Sequence, residues 1–239
     1  MSGRVGSITT GIIEDGLVFN MDAANRASYI PNNTTAYNTF LPSTSSGSLE
    51  NGTTFDSSNG GSFYFGGEDE YIDCSTDILA HISNVSTFSI GQWAKPAVND
   101  FLSSGYQDTH PYARMNFGTW NNTTIVFNIG ETGGATGCWM SRSFSNWNSW
   151  QYWVCTYDAS QGSHATRQRG YIDGVDPGGW SLGGNSGNNT ATITKWYLGY
   201  MGAWSSYSLG NIANFHVYNR AISAEEVLHN YNALKGRFS

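Results

Sequence analysis

Short runs of alternating apolar and polar residues, each closed by Gly, Asn or Asp, fill most of this chain and predict strands buried on one face. Leu17, Phe19 and Met21 alternate in the first run. In the last, Ala213, Phe215 and Val217 fall on one side and Asn214, His216 and Tyr218 on the other. Similar runs stand at 62–65, 70–73, 87–95, 112–117, 124–129, 151–157, 169–175 and 196–199. In the third of these, Phe88 and Ile90 point one way and Trp93 the other, so protein or a groove is expected on both faces. Gly66-Gly67-Glu68-Asp69 predicts a hairpin turn between its flanking runs, because glycine reaches the positive φ such turns need, and Asp173-Gly174 predicts another. The period changes only near the end. Ser223 and Glu226 have the spacing of a capping box, Val227, Leu228, Tyr231 and Leu234 share a helical face, and Gly236 can stop the helix. The pattern predicts an all-β, two-sheet antiparallel sandwich with one short C-terminal helix.

The length, 239 residues, suits one large sandwich with a sizeable core. Residues 1–13 carry little to bury and are expected to form an N-terminal arm, leaving 14–239 as a single domain. Charged residues are 12% of the chain and the net charge is -7, so clustered Lys and Arg for nucleic acid or an anionic membrane are not expected. Cys74, Cys138 and Cys155 are odd in number and widely spaced, which predicts buried free thiols rather than a disulfide framework or a zinc site. MSGRVGSITTGII lacks the apolar run of a secretory leader, and no stretch approaches the length of a membrane span, so synthesis in a cytoplasm is expected.

Several runs resemble the laminin-G-like jelly rolls of the concanavalin A-like lectin and glucanase superfamily. Gly210, Ile212, Val217, Tyr218, Asn219, Arg220, Ala221, Ser223, Glu225 and Glu226 stand where that family's closing G-x-I-x-x-x-x-V-Y-N-R-A-L-S-x-E-E-I has its fixed positions. GLVFNMDA, FYFGGEDEYID, TFSIGQWAK, QYWVCTYD and RGYIDGV are similar to further family strands, so the resemblance spans residues 16–236. It implies a jelly roll, and it extends to such domains in phage structural proteins. The function it implies is a non-enzymatic virion structural or attachment protein: capsid decoration, a fibre or a baseplate module, made in the host cytoplasm. Its expected partners are other virion proteins, met through the N-terminal arm, with surface glycans as candidate ligands. A homo-oligomer or part of a larger assembly is expected. A lectin module outside a virion is the alternative, and a glycoside hydrolase the third reading.

The candidate chemistry follows residue by residue. A glycosidase needs two carboxylates facing one groove, and no such run occurs. Gly179-Trp180-Ser181-Leu182-Gly183 has the form of a nucleophile elbow but is followed by a Gly/Asn-rich stretch that cannot form the required helix. Laminin-G-like domains often hold calcium. Asp22, Glu68, Asp69 and Asp73 are the candidate ligands here, although Ala213-Asn214 and Gly66 stand where relatives place acids. The aromatic run CWMSRSFSNWNSWQYW offers Trp139, Trp147, Trp150 and Tyr152 as a candidate carbohydrate platform or subunit contact.

Overall fold

The computed structural model describes residues 11–40, 46–97, 102–107, 110–121, 123–130, 138–184 and 189–238. Residues 1–10, most of the expected arm, lie outside the described residues. In chain order the strands are β1 (Leu17–Asp22), β2 (Thr35–Tyr37), β3 (Ser46–Glu50), β4 (Thr54–Asp56), β5 (Ser62–Gly66), β6 (Tyr71–Asp73), β7 (Thr87–Pro96), β8 (Ser103–Gln107) and β9 (His110–Trp120). They continue as β10 (Thr124–Asn128), β11 (Trp139–Ser143), β12 (Gln151–Asp158), β13 (Gln168–Ile172), β14 (Ser181–Gly183), β15 (Lys195–Leu198), β16 (Tyr200–Met201), β17 (Ser206–Tyr207) and β18 (Leu209–Tyr218). Among the described residues three α-helices join them: α1 (Ser75–Ile82), α2 (His164–Arg167) and α3 (Ala224–Leu234).

Two large antiparallel sheets form the sandwich. The smaller has seven strands, ordered β13-β12-β7-β18-β5-β4 with β1 also paired to β18; the larger has nine, ordered β14-β11-β10-β9-β8-β15-β6-β3-β2. The main core lies between them and includes Phe19, Phe65, Phe88, Phe117, Phe127, Trp153, Trp196 and Phe215. A second apolar cluster covers the far side of the smaller sheet, where Trp93, Tyr152, Val154, Tyr171 and Tyr218 meet Val227 and Leu234 of α3. Strands of the smaller sheet are therefore buried on both faces, as β18 shows from Gly210 to Tyr218. A one-faced strand was the expectation from its alternation; α3 is what covers the other side.

Local irregularities account for other departures from the sequence pattern. A bulge between Ile212 and Asn214 shifts the register, so Ala213 joins Tyr218 in the second cluster instead of facing inward with Phe215 and Val217. A second bulge, between Leu17 and Phe19, puts Leu17 opposite Tyr218 in the second cluster while Phe19 and Met21 face the main core. The Gly66–Asp69 segment is a crossover rather than a hairpin turn, because β5 belongs to the smaller sheet and β6 to the larger. There the Glu68 and Asp69 N–H groups donate to Glu70 Oε2 at 3.2 and 3.3 Å. Asp173-Gly174 does reverse the chain, with φ values of 52° and 85°.

An eight-residue helix, α1, packs Ile78 and Ile82 into the core, where only a late helix was expected. α3 carries the expected capping box: the Glu226 N–H donates to Ser223 Oγ at 3.3 Å, and the Ser223 N–H donates to Glu226 Oε2 at 2.7 Å. Its buried residues are Val227, Asn230 and Leu234, while Leu228 is exposed. Asn230 is buried because it has partners. Its Oδ1 accepts the Ile13 N–H at 2.8 Å and its Nδ2 donates to Tyr218 Oη at 2.9 Å. Ile12, from the expected arm, is buried with this cluster. The chain runs past α3 through a 3-10 turn at Lys235–Arg237, so Gly236 does not end it.

Between α3 and the smaller sheet runs a buried polar chain. Asn214 Nδ2 donates to Asn20 Oδ1 at 2.9 Å, which leaves Asn214 Oδ1 to accept His216 Nδ1–H at 2.7 Å. His216 Nε2 then accepts the Tyr152 hydroxyl at 2.8 Å. A Cβ at residue 91 would overlap this imidazole, so Gly91 makes room for the network.

Candidate functional site

Alternation on β9, β10 and β11 sends Met115, Phe117, Ile125, Phe127 and Met140 into the main core. Their neighbours form the outer face of the larger sheet. Register sets Asn116 opposite Asn128 and Asn128 opposite Trp139, then Gly118, Val126 and Ser141 in a second row, and Trp120 opposite Thr124 in a third. A cleft of about 350 Å³ lies over this face, lined by these strands and by Trp204 from the turn after β16. Trp204 leans against Trp120, ring centroids 4.9 Å apart, and the Arg114 guanidinium lies 4.6 Å from the Trp204 ring centroid.

Two glycines shape the walls. A Cβ at Gly183 would overlap the Trp139 ring, so the indole lies across edge strand β14 only because that position has no side chain. A Cβ at Gly202 would overlap Tyr106, and its absence seats the turn that carries Trp204 close to β8. Inside the cleft are amide and hydroxyl groups from Asn116, Asn128, Thr124 and Ser141. Asn116 is 2% exposed, and its Oδ1 is buried without a hydrogen-bond partner among the described residues. Leaving such an acceptor without a partner costs about 1–3 kcal/mol. Arg114 is the charged group among the described lining residues, and none of them is Asp or Glu.

The sequence-derived aromatic set does not converge. Trp139 stands in the cleft with 37% of its surface exposed. Trp147 is half-buried, edge-on to Phe144 with centroids 4.9 Å apart, and packs on the main core. Trp150 lies on the opposite side of the sandwich, 4.8 Å from the Phe238 ring, and donates from Nε1 to Asn59 Oδ1 at 3.1 Å. Tyr152 is fully buried under α3 and offers nothing to a ligand, because a strand covered on both faces hides every side chain. Trp120, Trp204, Arg114, Asn116 and Asn128 were not singled out from the sequence. The alternation of 114–120 and 124–128 carried the signal for all but Trp204, once the two runs are known to be neighbours with an open outer face; Trp204 comes from the turn after β16.

The acidic set does not gather into one group among the described residues. Asp22 is fully buried with both carboxylate oxygens 3.0 Å from Arg237 Nη1, so its charge is already matched. Burial pushes its carboxyl up, against the pull of that guanidinium. Glu68 and Asp69 are exposed in the crossover, and Asp73 Oδ1 accepts the Ser75 N–H at 2.8 Å. Among the described residues no group of three or more His, Cys, Asp and Glu could hold a metal ion. Cys138 Sγ and His164 Nε2 are 2.9 Å apart beside Gln168, but this thiol is buried in the core.

Two packed antiparallel sheets with an open, aromatic-walled cleft on one outer face define a lectin-like jelly-roll sandwich. Residues 65–228 match the laminin-G family model of the concanavalin A-like lectin/glucanases superfamily, and the chain belongs to that family. No curated protein matches the sequence. Among solved structures the chain is similar to the receptor-binding domain of botulinum neurotoxin type G (TM-score 0.61, 13% identity, 91% of this chain and 51% of that one). It is also similar to a Trypanosoma rangeli sialidase in complex with sialic acid (TM-score 0.61, 15% identity, 92% and 33%). A third is domain 4 of an extracellular arabinanase from Geobacillus stearothermophilus in complex with arabinotriose (TM-score 0.58, 14% identity, 92% and 100%). The chain thus spans about half of the toxin chain and a third of the sialidase chain, and the likeness is one of fold.

Proposed function

We propose that this chain is a non-enzymatic glycan-binding module whose ligand lies in the cleft over β9, β10 and β11. The observation that carries the reading is the grouping of Trp120, Trp139 and Trp204 around the unpartnered, buried Asn116 Oδ1. Indole faces stack on the C–H faces of a sugar, and an amide oxygen accepts from a hydroxyl or an acylamino N–H. Arg114 favours an acidic sugar, since a guanidinium pairs with a carboxylate. The sugar complexes of the sialidase and of the arabinanase domain agree with this reading. The absence of Asp and Glu from the described lining speaks against hydrolysis there, which needs a carboxylate pair across the bond.

The setting of the module is a phage particle, as a decoration, fibre or baseplate protein held to other virion proteins through residues 1–13. This part is supported by the closing segment's resemblance to phage structural domains and by the weakly charged composition. A glycan array probed with and without EDTA tests the ligand. Binding to acidic glycans that persists in EDTA, and that falls about tenfold in Trp139→Ala, is expected from the loss of one stacking face. An array empty under both conditions removes the reading. Full incorporation into particles after deletion of residues 1–13 removes the proposed anchor.

A further inference from the structure

A second cleft, of about 460 Å³, opens on the opposite side of the sandwich, where the end of α3 meets the smaller sheet. Trp93 forms its base. This residue belongs to the cluster on the far side of the smaller sheet, whereas the strands under the first cleft turn their inward residues to the main core. The two clefts therefore face away from each other. Phe238 stacks on Trp93 with centroids 4.1 Å apart, and Trp150 meets Phe238 at 4.8 Å with its plane tilted by 45°, which makes an angled aromatic wall. Around this wall stand polar groups of both senses. Asp173, whose Oδ1 already accepts the Tyr152 N–H at 2.9 Å, keeps its second oxygen as an acceptor beside Asn232, and Lys235 offers a donor where its ammonium lies 5.4 Å from the Tyr231 ring centroid.

One group in this cleft is unsatisfied. Trp93 is 2% exposed, and its Nε1–H is buried with no hydrogen-bond partner among the described residues. An indole N–H normally finds an acceptor when buried, because leaving it bare forfeits its bond to water.

We propose that this cleft is a second saccharide site, taking a neutral pyranose, and that the domain thereby bridges two glycan chains from opposite faces. Vicinal hydroxyls both donate and accept, which matches the mixture of Asp173, Asn232, Lys235 and the bare indole N–H, while the tilted ring stacks on the sugar's C–H face. Asp173 and Lys235 offset each other's charge, so nothing here selects an acidic sugar as Arg114 does in the first cleft. The second site stands on its own residues, whereas the bridging rests on the reading of the first cleft as a glycan site.

The test is a titration with methyl glucoside, galactoside, mannoside and N-acetylglucosamine, followed through the indole ¹H–¹⁵N signals. The Trp93 signal is identified by its loss in Trp93→Phe. Saturable movement of that signal with at least one pyranoside is expected. It should persist in Trp139→Ala and weaken about tenfold in Trp150→Ala and in Asn232→Ala, whose replaced amide is exposed and leaves the fold intact. A Trp93 signal unmoved up to the solubility limit of all four sugars overturns the proposal. Movement abolished by Trp139→Ala but not by Trp150→Ala also overturns it, since that assigns the effect to the first cleft. Movement that survives while Trp139→Ala has no effect on any array supports the second site alone.

Discussion

Arg237→Ala removes the guanidinium that faces the fully buried Asp22 carboxylate at 3.0 Å. The same side chain donates to Gly61 O at 2.9 Å and to Asn59 O at 3.2 Å, so it also pins the C-terminal turn to the sheet. Arg237 is 9% and Asp22 0% exposed by side chain, so solvent screens this pair little. Removing one partner of a buried pair costs about 3–5 kcal/mol, most of it for the charge left behind. At about 2–4 °C per kcal/mol for a chain of this size, the melting temperature should fall by roughly 10 °C.

The pH dependence fixes the cause. Burial already raises the Asp22 carboxyl above its usual 3.8, and without Arg237 the rise is larger. A carboxyl raised in the folded state stabilises it below the unfolded value, and that contribution is lost as pH climbs through the folded one. The gap between wild type and Arg237→Ala should therefore be widest near neutrality and narrow as pH falls towards 4. Urea denaturation followed by tryptophan fluorescence at two pH values measures it. The double variant Asp22→Asn/Arg237→Ala should recover part of the loss, because no bare charge remains. A single variant within about 1 kcal/mol of wild type, or a gap that widens in acid, would refute the reasoning.

Three further outcomes are expected. His216 is held neutral, its imidazole pushed down to about 3 by burial, while the unfolded chain takes up a proton below about 6.5. Stability should thus fall as pH drops from 6.5 towards 3, by up to about 1.4 kcal/mol per unit, and His216→Gln should flatten that slope in denaturation curves taken between pH 7 and 5. Gly183→Ala should displace the Trp139 ring and weaken glycan binding about tenfold, with little change in melting temperature because β14 is an edge strand, as calorimetric titration and thermal unfolding would show. Burial raises the Cys155 thiol to about 12 and lifts Cys74 well above its usual range, so mass spectrometry should find both unalkylated at pH 8 in the native protein and modified on unfolding.

Much of the architecture is legible in the sequence. The capping box at Ser223 and Glu226, the Asp173-Gly174 turn and the two-faced run around Trp93 are local signals, set by hydrogen bonds and spacings within a few residues. The corrections arise where a distant partner decides. Two bulges turned Leu17 and Ala213 to the far face, and Gly66–Asp69 crosses between sheets because its flanking strands pair with β18 and β15 rather than with each other. Asn230 entered the core because Tyr218 and Ile13 meet it there, which no helical period reveals.

For the site the division is sharper. Aromatic richness, low charge and the missing carboxylate run were properties of the sequence by itself, and they set the expectation of a binding module rather than a hydrolase. Which aromatics share one cleft was a tertiary matter. Trp139 joins Trp120 and Trp204, from strands and a turn far apart in the chain, because register sets β9, β10 and β11 side by side with one face left open. Tyr152, on the next strand after Trp139 along the chain, is buried because α3 closes the other sheet over it. Alternation determines that a side chain lies on one of two faces; only the packing of the sheets decides which face meets water.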